Sequence, residues 1–297
     1  MKVWYYPGCT LKTKAKNMDQ SARASLKALG VELVELPRWN CCGAVFSLPN
    51  DDLLRLLAPI RNLIRVKEQG DNKVLVACSM CYNTLARANL VIREDKEKRQ
   101  TINSFMEEEP DYFGEVEVIH LLSFLQNDIG WDRVKENIKL PLKGLKVAPY
   151  YGCTLLRPTE IAIEPPEKPS LMKELIEALG ATVIDFPDST RCCSSYQILS
   201  NPEIGIASVA KILDSAQKWG AEAIVSSCPL CEYNLGQRQD DALKKQSNLK
   251  EIPTFYFTQL LALALGLGAE TCLFELNHRG AQPLMESKHF LGTTASI

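Results

Sequence analysis

Ten of the eleven cysteines fall into two sets that run in the same order along the chain. Cys9, the adjacent pair Cys41–Cys42, Cys78 and Cys81 make the first set, spaced C-x31-CC-x35-C-x2-C. Cys153, the pair Cys192–Cys193, Cys228 and Cys231 make the second, spaced C-x38-CC-x34-C-x2-C. Clustered cysteines in a large chain without an export signal hold metal or do redox chemistry, and the odd total argues against complete disulfide pairing. A structural zinc ion takes four ligands, typically from two C-x2-C knuckles, whereas each set has five sulfurs and one knuckle. Adjacent cysteines leaving a strand tend to point apart, which is awkward for one ion and easy if the two thiolates bind different metal atoms. A multinuclear iron–sulfur centre therefore fits best, with zinc and dithiol redox chemistry as the alternatives. Two one-electron stores side by side are equipment for splitting or forming a two-electron bond, such as a disulfide.

The neighbours of the cysteines repeat as well. YYPGCTLK at 5–12 matches YYGCTLLR at 150–157, ALG recurs at 28–30 and 178–180, and VACSMCYNTL at 76–85 matches SSCPLCEYNL at 226–235. The chain is an internal duplication. In the first half, strands are expected at Lys2–Tyr6, Val31–Leu36 and Lys73–Ala77, with helices at Asp19–Leu29, Asp51–Lys67 and from near Cys81. The second half repeats them: strands at 145–149, 182–186 and 222–226, helices at 170–179, 203–218 and from about 231. Strands alternating with helices of this length predict parallel sheets. The fold class is α/β: two duplicated Rossmann-like domains, each with its cysteines at the carboxyl ends of its strands, where open sheets bind ligands. The expected boundaries are 1–143 for the first domain and 144–270 for the second, followed by a loosely held tail at 271–297. The charged run at 91–114 reads as the solvated face of one long helix. VEVIHL at 116–121, and TFYF before TQLLALALGL, read as the closing strand and helix of each half.

The chain has 297 residues, 46% of them hydrophobic and 24% charged, with a net charge of −2, which is ordinary for a globular protein. Without a strongly basic surface, nucleic acid is a poor candidate partner. The N-terminus lacks the apolar core of a signal peptide, and the longest apolar stretch, Leu260 to Ala269, is about half a membrane span. A cytoplasmic protein that reaches a membrane only through a partner is expected.

The doubled five-cysteine pattern, with YYPGC, WNCCGA, CSMCYNTL, YYGCTLLRP, CPLCEYNL and FYFTQLLALALGL, resembles the HdrB family of heterodisulfide reductase proteins, which have two CCG domains. The resemblance covers about residues 1–268. It implies that Cys9, Cys41, Cys42, Cys78 and Cys81 ligate one noncubane [4Fe-4S] cluster. A second would be ligated by Cys153, Cys192, Cys193, Cys228 and Cys231. A thiol-coenzyme disulfide would be cleaved or formed between them. It also implies partners: an HdrC-like ferredoxin protein that delivers electrons and an HdrA-like flavoprotein that feeds it. This chain has neither a ferredoxin motif nor a nucleotide fingerprint, so no flavin is expected in it. A non-catalytic electron relay within another oxidoreductase complex, including sulfur-oxidising systems, is the rival reading. The second set departs from the motif where Ser194, not glycine, follows the cysteine pair, and a positive φ there costs a serine.

Arg157, Arg191 and Lys12 stand beside the cysteine loops and are candidates for an anionic substrate group, along with Lys14, Lys16 and Arg38. The proline-rich stretch 158–170 reads as a rigid loop, either covering the second centre or serving as a connector. His120 is expected to be buried, Cys272 to be an inert thiol, and no histidine to be catalytic.

Overall fold

The computed structural model describes residues 1–44, 46, 50–197 and 200–291. Two four-stranded sheets have the same strand order, β2-β1-β3-β4 and β6-β5-β7-β8, and every neighbouring pair is parallel. In the first half β1 is Lys2–Tyr6, β2 Glu32–Glu35, β3 Lys73–Val76 and β4 Glu117–His120. In the second, β5 is Lys146–Tyr150, β6 Thr182–Val183, β7 Ala223–Ser226 and β8 Thr254–Tyr256. The central strands are buried along most of their length, as VLV of β3 and AIVS of β7 show, because helices cover both faces of a parallel sheet.

The helices are amphipathic around these sheets. In Lys16–Ala28, Met18, Ala22, Ser25 and Leu26 face inward. Both ALG segments close their helices alike: Gly30 N bonds Lys27 O and Val31 N bonds Leu26 O, while Gly180 N bonds Glu177 O and Ala181 N bonds Ile176 O. The duplication is thus present in topology and in capping detail.

Four expectations are revised. The charged run does not form one helix: Ser79–Glu94 ends at Asp95, whose extended backbone and side chain, accepting from Lys98 N, start a second helix at Lys96–Phe105. The strand expected at 182–186 is only Thr182–Val183. The helix from 231 starts earlier and is broken, as Pro229–Glu232, a π-turn at Tyr233–Gln237 and then Gln239–Lys245. The segment after residue 270 is not loosely held: it carries the short helix Ala281–Ser287 and buries Cys272, Phe274, Ala281 and Met285 almost completely. The last six residues of that expected tail, 292–297, lie outside the described residues.

The halves share a polar seam inside an apolar contact. Helix Lys16–Ala28 of the first half packs on helix Phe257–Ala264 of the second, and Ser21 Oγ donates to Thr258 Oγ1 at 2.8 Å. Asn277, from the C-terminal segment, joins both: its Oδ1 accepts from Asn17 Nδ2 at 2.9 Å and from Gln259 Nε2 at 2.6 Å, and its Nδ2 donates to Thr254 O. Among the described residues, no helix is long and apolar enough to cross a membrane.

Candidate metal centres

Each cysteine set assembles at the carboxyl edge of its sheet. β1 and β5 run into the turns that carry Cys9 and Cys153, and β3 and β7 end two residues before Cys78 and Cys228. Tyr6 and Tyr150, which end the first strand of each half, donate from their hydroxyls to Asn40 O at 2.8 Å and Arg191 O at 2.6 Å. These two bonds hold the residue before each cysteine pair against the sheet edge.

The sulfurs meet in matching pairs. Cys9 Sγ lies 3.6 Å from Cys41 Sγ and Cys42 Sγ lies 3.7 Å from Cys81 Sγ. In the second half, Cys153 Sγ lies 3.6 Å from Cys192 Sγ and Cys193 Sγ lies 3.6 Å from Cys231 Sγ. Adjacent cysteines therefore take different partners, as their divergence from the backbone predicts. Two sulfurs bound to one tetrahedral metal atom at about 2.3 Å stand about 3.8 Å apart, so each pair has the spacing of two thiolates on a common metal atom. Among the described residues, no three His, Cys, Asp or Glu side chains close around a point suited to a single metal ion.

The backbone leaves room beside these sulfurs. A Cβ on Gly8 would stand 2.8 Å from Cys81 Sγ, and one on Gly152 would stand 3.2 Å from Cys231 Sγ. Both glycines have φ near +70°, so the repeated Gly-Cys step serves close approach and left-handed backbone together. After the cysteine pair, Gly43 has φ +93° and Ser194 has φ +57°. Ser194 thus adopts the left-handed conformation that glycine takes in the first half, and its N–H donates to Cys192 Sγ at 3.3 Å. Thr84 and Asn234, at equivalent positions, anchor the loops after the pairs by donating to Ala44 O and Cys193 O.

Thiolate character is uneven. Hydrogen bonds from Cys153 and from the Ser194 amide hold the Cys192 thiol down to about 6, against burial. Cys42 is lowered by its contacts with Cys41 and Cys81, and Cys228 by Cys231 and Cys78, with help from first-turn amides of the helix that Cys228 caps. Their partners Cys81 and Cys231 are pushed up, each first by its contact with the lowered or neighbouring sulfur and then by burial.

Exposure grades across each set. Cys9 and Cys41 are exposed and Cys153 and Cys192 half-buried, while Cys42, Cys78, Cys81, Cys193, Cys228 and Cys231 are buried. The buried ends face each other across the seam between the halves, where Cys78 and Cys228 stand close enough to shift each other's thiols, Cys78 up and Cys228 down. Beside them Ser79 N donates to Ser227 O at 3.1 Å, and the Ser79 and Ser227 hydroxyls are 2.7 Å apart. The symmetric bond cannot form, because the counterpart of Ser79 is Pro229, which lacks an N–H. The freed acceptor, Ala77 O, is taken instead by His120 Nε2 at 3.0 Å. His120 is buried, as expected, and burial lowers its pKa to about 3.

The cationic candidates separate. Lys12 pairs with Glu35 at 2.9 Å and Arg191 with Asp188, and Arg38 pairs with Glu68. Arg157 donates to Thr190 O at 3.2 Å and lines a cleft between the halves. The proline-rich loop packs against the first half, where Tyr82 Oη donates to Ile161 O, and the residues just before it do the same, with Asn83 Nδ2 donating to Thr154 O and Arg157 O, each at 2.7 Å. Sequence reasoning singled out neither Asn83 nor Arg87, although the one-residue offset of the Tyr-Asn pair between the halves marks where their roles diverge. Cys272 is buried, and burial raises its thiol to about 12.

Comparison with known proteins matches the cysteine-rich CCG domain to residues 3–86 and again to 147–236. The chain is 34% identical over 276 residues to the membrane anchor protein of the 8-methylmenaquinol:fumarate reductase of Wolinella succinogenes, covering 92% of this chain and 95% of that one. It is 30% identical over 280 residues to the B subunit of the ferredoxin:CoB-CoM heterodisulfide reductase of Methanosarcina mazei, covering 93% of each. Among solved structures, a hypothetical protein from Helicobacter pylori superimposes with a TM-score of 0.74 at 14% identity over 93% of this chain. That match shows a shared fold, and this chain spans about half of the other's length, 51%.

Proposed function

This chain belongs to the HdrB family of heterodisulfide reductase proteins, with two CCG domains, and on that footing we propose that it is the iron–sulfur component of a multi-protein oxidoreductase that cleaves or forms a disulfide. Its two sets, Cys9, Cys41, Cys42, Cys78 and Cys81, and Cys153, Cys192, Cys193, Cys228 and Cys231, each hold a noncubane [4Fe-4S] cluster, in domains bounded at 1–143 and 144–270 with 271–297 as a tail. The observation that carries this reading is the pairing of sulfurs in both sets, open to solvent at one end and meeting at Cys78 and Cys228 at the other.

The clusters would supply iron sites that exchange single electrons with sulfur. The overall reaction takes one disulfide, two electrons and two protons to two thiols. Around it, Gly8 and Gly152 keep the sulfur cradles clear, Gly43 and Ser194 aim backbone amides at the first cysteine of each pair, and Tyr6 and Tyr150 fix those pairs at the sheet edge. Arg157 faces the cleft, whereas Lys12 and Arg191 would reach a substrate only by exchanging their carboxylate partners. Electrons come from an HdrC-like ferredoxin protein fed by an HdrA-like flavoprotein, in the cytoplasm, with no flavin in this chain.

The likeness to the quinol:fumarate reductase protein supports a second reading, in which the chain relays electrons within another complex without meeting a disulfide. Anaerobic iron and sulfide analysis, with EPR of the oxidised protein before and after adding a thiol, separates them. About eight irons and a new paramagnetic signal with thiol are expected. Eight irons and no response to thiol favour the relay, and zinc in place of iron sinks both.

A further inference from the structure

His120 is a fully buried side chain that the proposed chemistry does not use. It ends β4, whose register pairs it with Val76, two residues before Cys78. Both of its ring nitrogens are engaged. The Leu122 amide donates to Nδ1 at 3.2 Å, and Nε2 stands 3.0 Å from Ala77 O. A backbone amide can only donate, so Nδ1 carries no proton. The ring is therefore the neutral Nε2–H tautomer, and it donates to Ala77 O.

The faces and edges of the ring are engaged too. It meets Tyr82 edge-on, with centroids 5.6 Å apart and planes at 75°, and Phe257 of the second half at 6.1 Å. Ala77 precedes Cys78 and Tyr82 follows Cys81. One imidazole thus holds both ends of the Cys78–Cys81 turn, by a hydrogen bond before the first cysteine and a ring contact after the second.

The second half manages the same place differently. Ser227 is the counterpart of Ala77, and its carbonyl is held across the seam by the Ser79 amide at 3.1 Å and hydroxyl at 3.0 Å. Tyr256 pairs with Ser226 where His120 pairs with Val76. Because Pro229 stands where Ser79 does, no amide returns the bond to Ala77 O. His120 supplies from within the first half the donor that the duplication lost.

We propose that His120 is a positioning residue for the first metal centre, fixing the Cys78–Cys81 turn through Ala77 and Tyr82, so that its loss disturbs that centre and spares the second. The inference rests on the reading of the cysteine sets as iron–sulfur centres for what the turn ligates. Groups behind metal ligands orient them and tune the metal, and hydrogen bonding around the sulfurs helps to set the reduction potential. Without the Nε2 proton, the negative end of the Ala77 carbonyl is uncompensated beside Cys78, and adding an electron there becomes harder.

The test compares the anaerobically purified full chain with His120→Phe, which keeps a ring and drops both polar contacts, and His120→Gln, which keeps a donor of similar reach. EPR-monitored redox titration reads the two centres and iron analysis their occupancy. In His120→Phe one midpoint falls, by about 59 mV if that centre binds its electron tenfold more weakly, and the other stays. His120→Gln recovers most of the shift. Loss of half the iron from His120→Phe, with full iron in His120→Gln, supports the proposal equally. Midpoints that stay, or that fall together, in an iron-loaded His120→Phe overturn it, and so does a glutamine variant as impaired as the phenylalanine one.

A native chain without iron would sink the cluster reading and leave His120 to be judged by thiol mapping. Iodoacetamide should then modify Cys78 about tenfold faster in His120→Phe than in the native chain, with Cys272 unchanged and His120→Gln near native. No acceleration at Cys78, or equal acceleration at Cys272, overturns the proposal.

Discussion

At the residue scale, the two halves solve one problem with different side chains. The position after the cysteine pair has positive φ in both, and a non-glycine residue there costs about 1–2 kcal/mol. Glycine would remove that strain but adds unfolded-state entropy worth about 0.5–1 kcal/mol. Ser194→Gly is therefore expected to stabilise the protein by about 0.5–1 kcal/mol, read as a higher denaturation midpoint in anaerobic urea titration. An unchanged or lower midpoint would mean that the serine hydroxyl compensates for the backbone. Cys272, with its thiol raised to about 12 and its side chain buried, should resist alkylation in the folded protein at about pH 8 and react only on unfolding. Mass-spectrometric mapping of iodoacetamide adducts checks this, and native-state labelling would show the C-terminal segment opening locally.

At the element scale, the strands and their cysteine-bearing loops follow from local pattern, because an apolar run and a Gly-capped helix are short-range features. The C-terminal segment does not follow, since its value lies in one residue that reaches back to both halves. Asn277 bonds Asn17, Gln259 and the carbonyl of Thr254 while nearly buried. Asn277→Ala leaves those groups without a partner and should destabilise the chain by about 2–3 kcal/mol. A loss below about 0.5 kcal/mol, the range of ordinary surface substitutions, would show that the segment is only loosely docked after all. The broken helix at Asp95 is a smaller case of the same kind: the charged run looks continuous, but an aspartate that caps the next helix ends the first.

At the scale of the whole molecule, duplication supplies two similar centres and small departures from symmetry join them. Proline at 229 removes one of two symmetric bonds, so at this point the seam rests on Ser79 with Ser227, while His120 satisfies the Ala77 carbonyl from within the first half. A double-mutant cycle with Ser79→Ala and Ser227→Ala should give a coupling of about 1 kcal/mol, since the two hydroxyls bond each other in a buried place. Additive effects would mean that this hydroxyl pair contributes nothing to holding the halves together. Helix Lys16–Ala28 against Phe257–Ala264 supplies apolar packing between the halves.

The sequence by itself determined the duplication, the parallel α/β architecture, the ten cysteines and the strained position at Ser194. Each of these is carried by covalent spacing or by the periodicity of a single element. Only the tertiary structure decided how adjacent cysteines divide between partners, that Cys78 meets Cys228, that Lys12 and Arg191 are tied to carboxylates, and that Arg87 joins Arg157 in one cleft. Most of those contacts join residues from different elements, and two of them, Cys78 with Cys228 and Arg87 with Arg157, from different halves. Which surfaces meet is fixed by how the helices and sheet edges pack, and spacing along the chain carries no record of it.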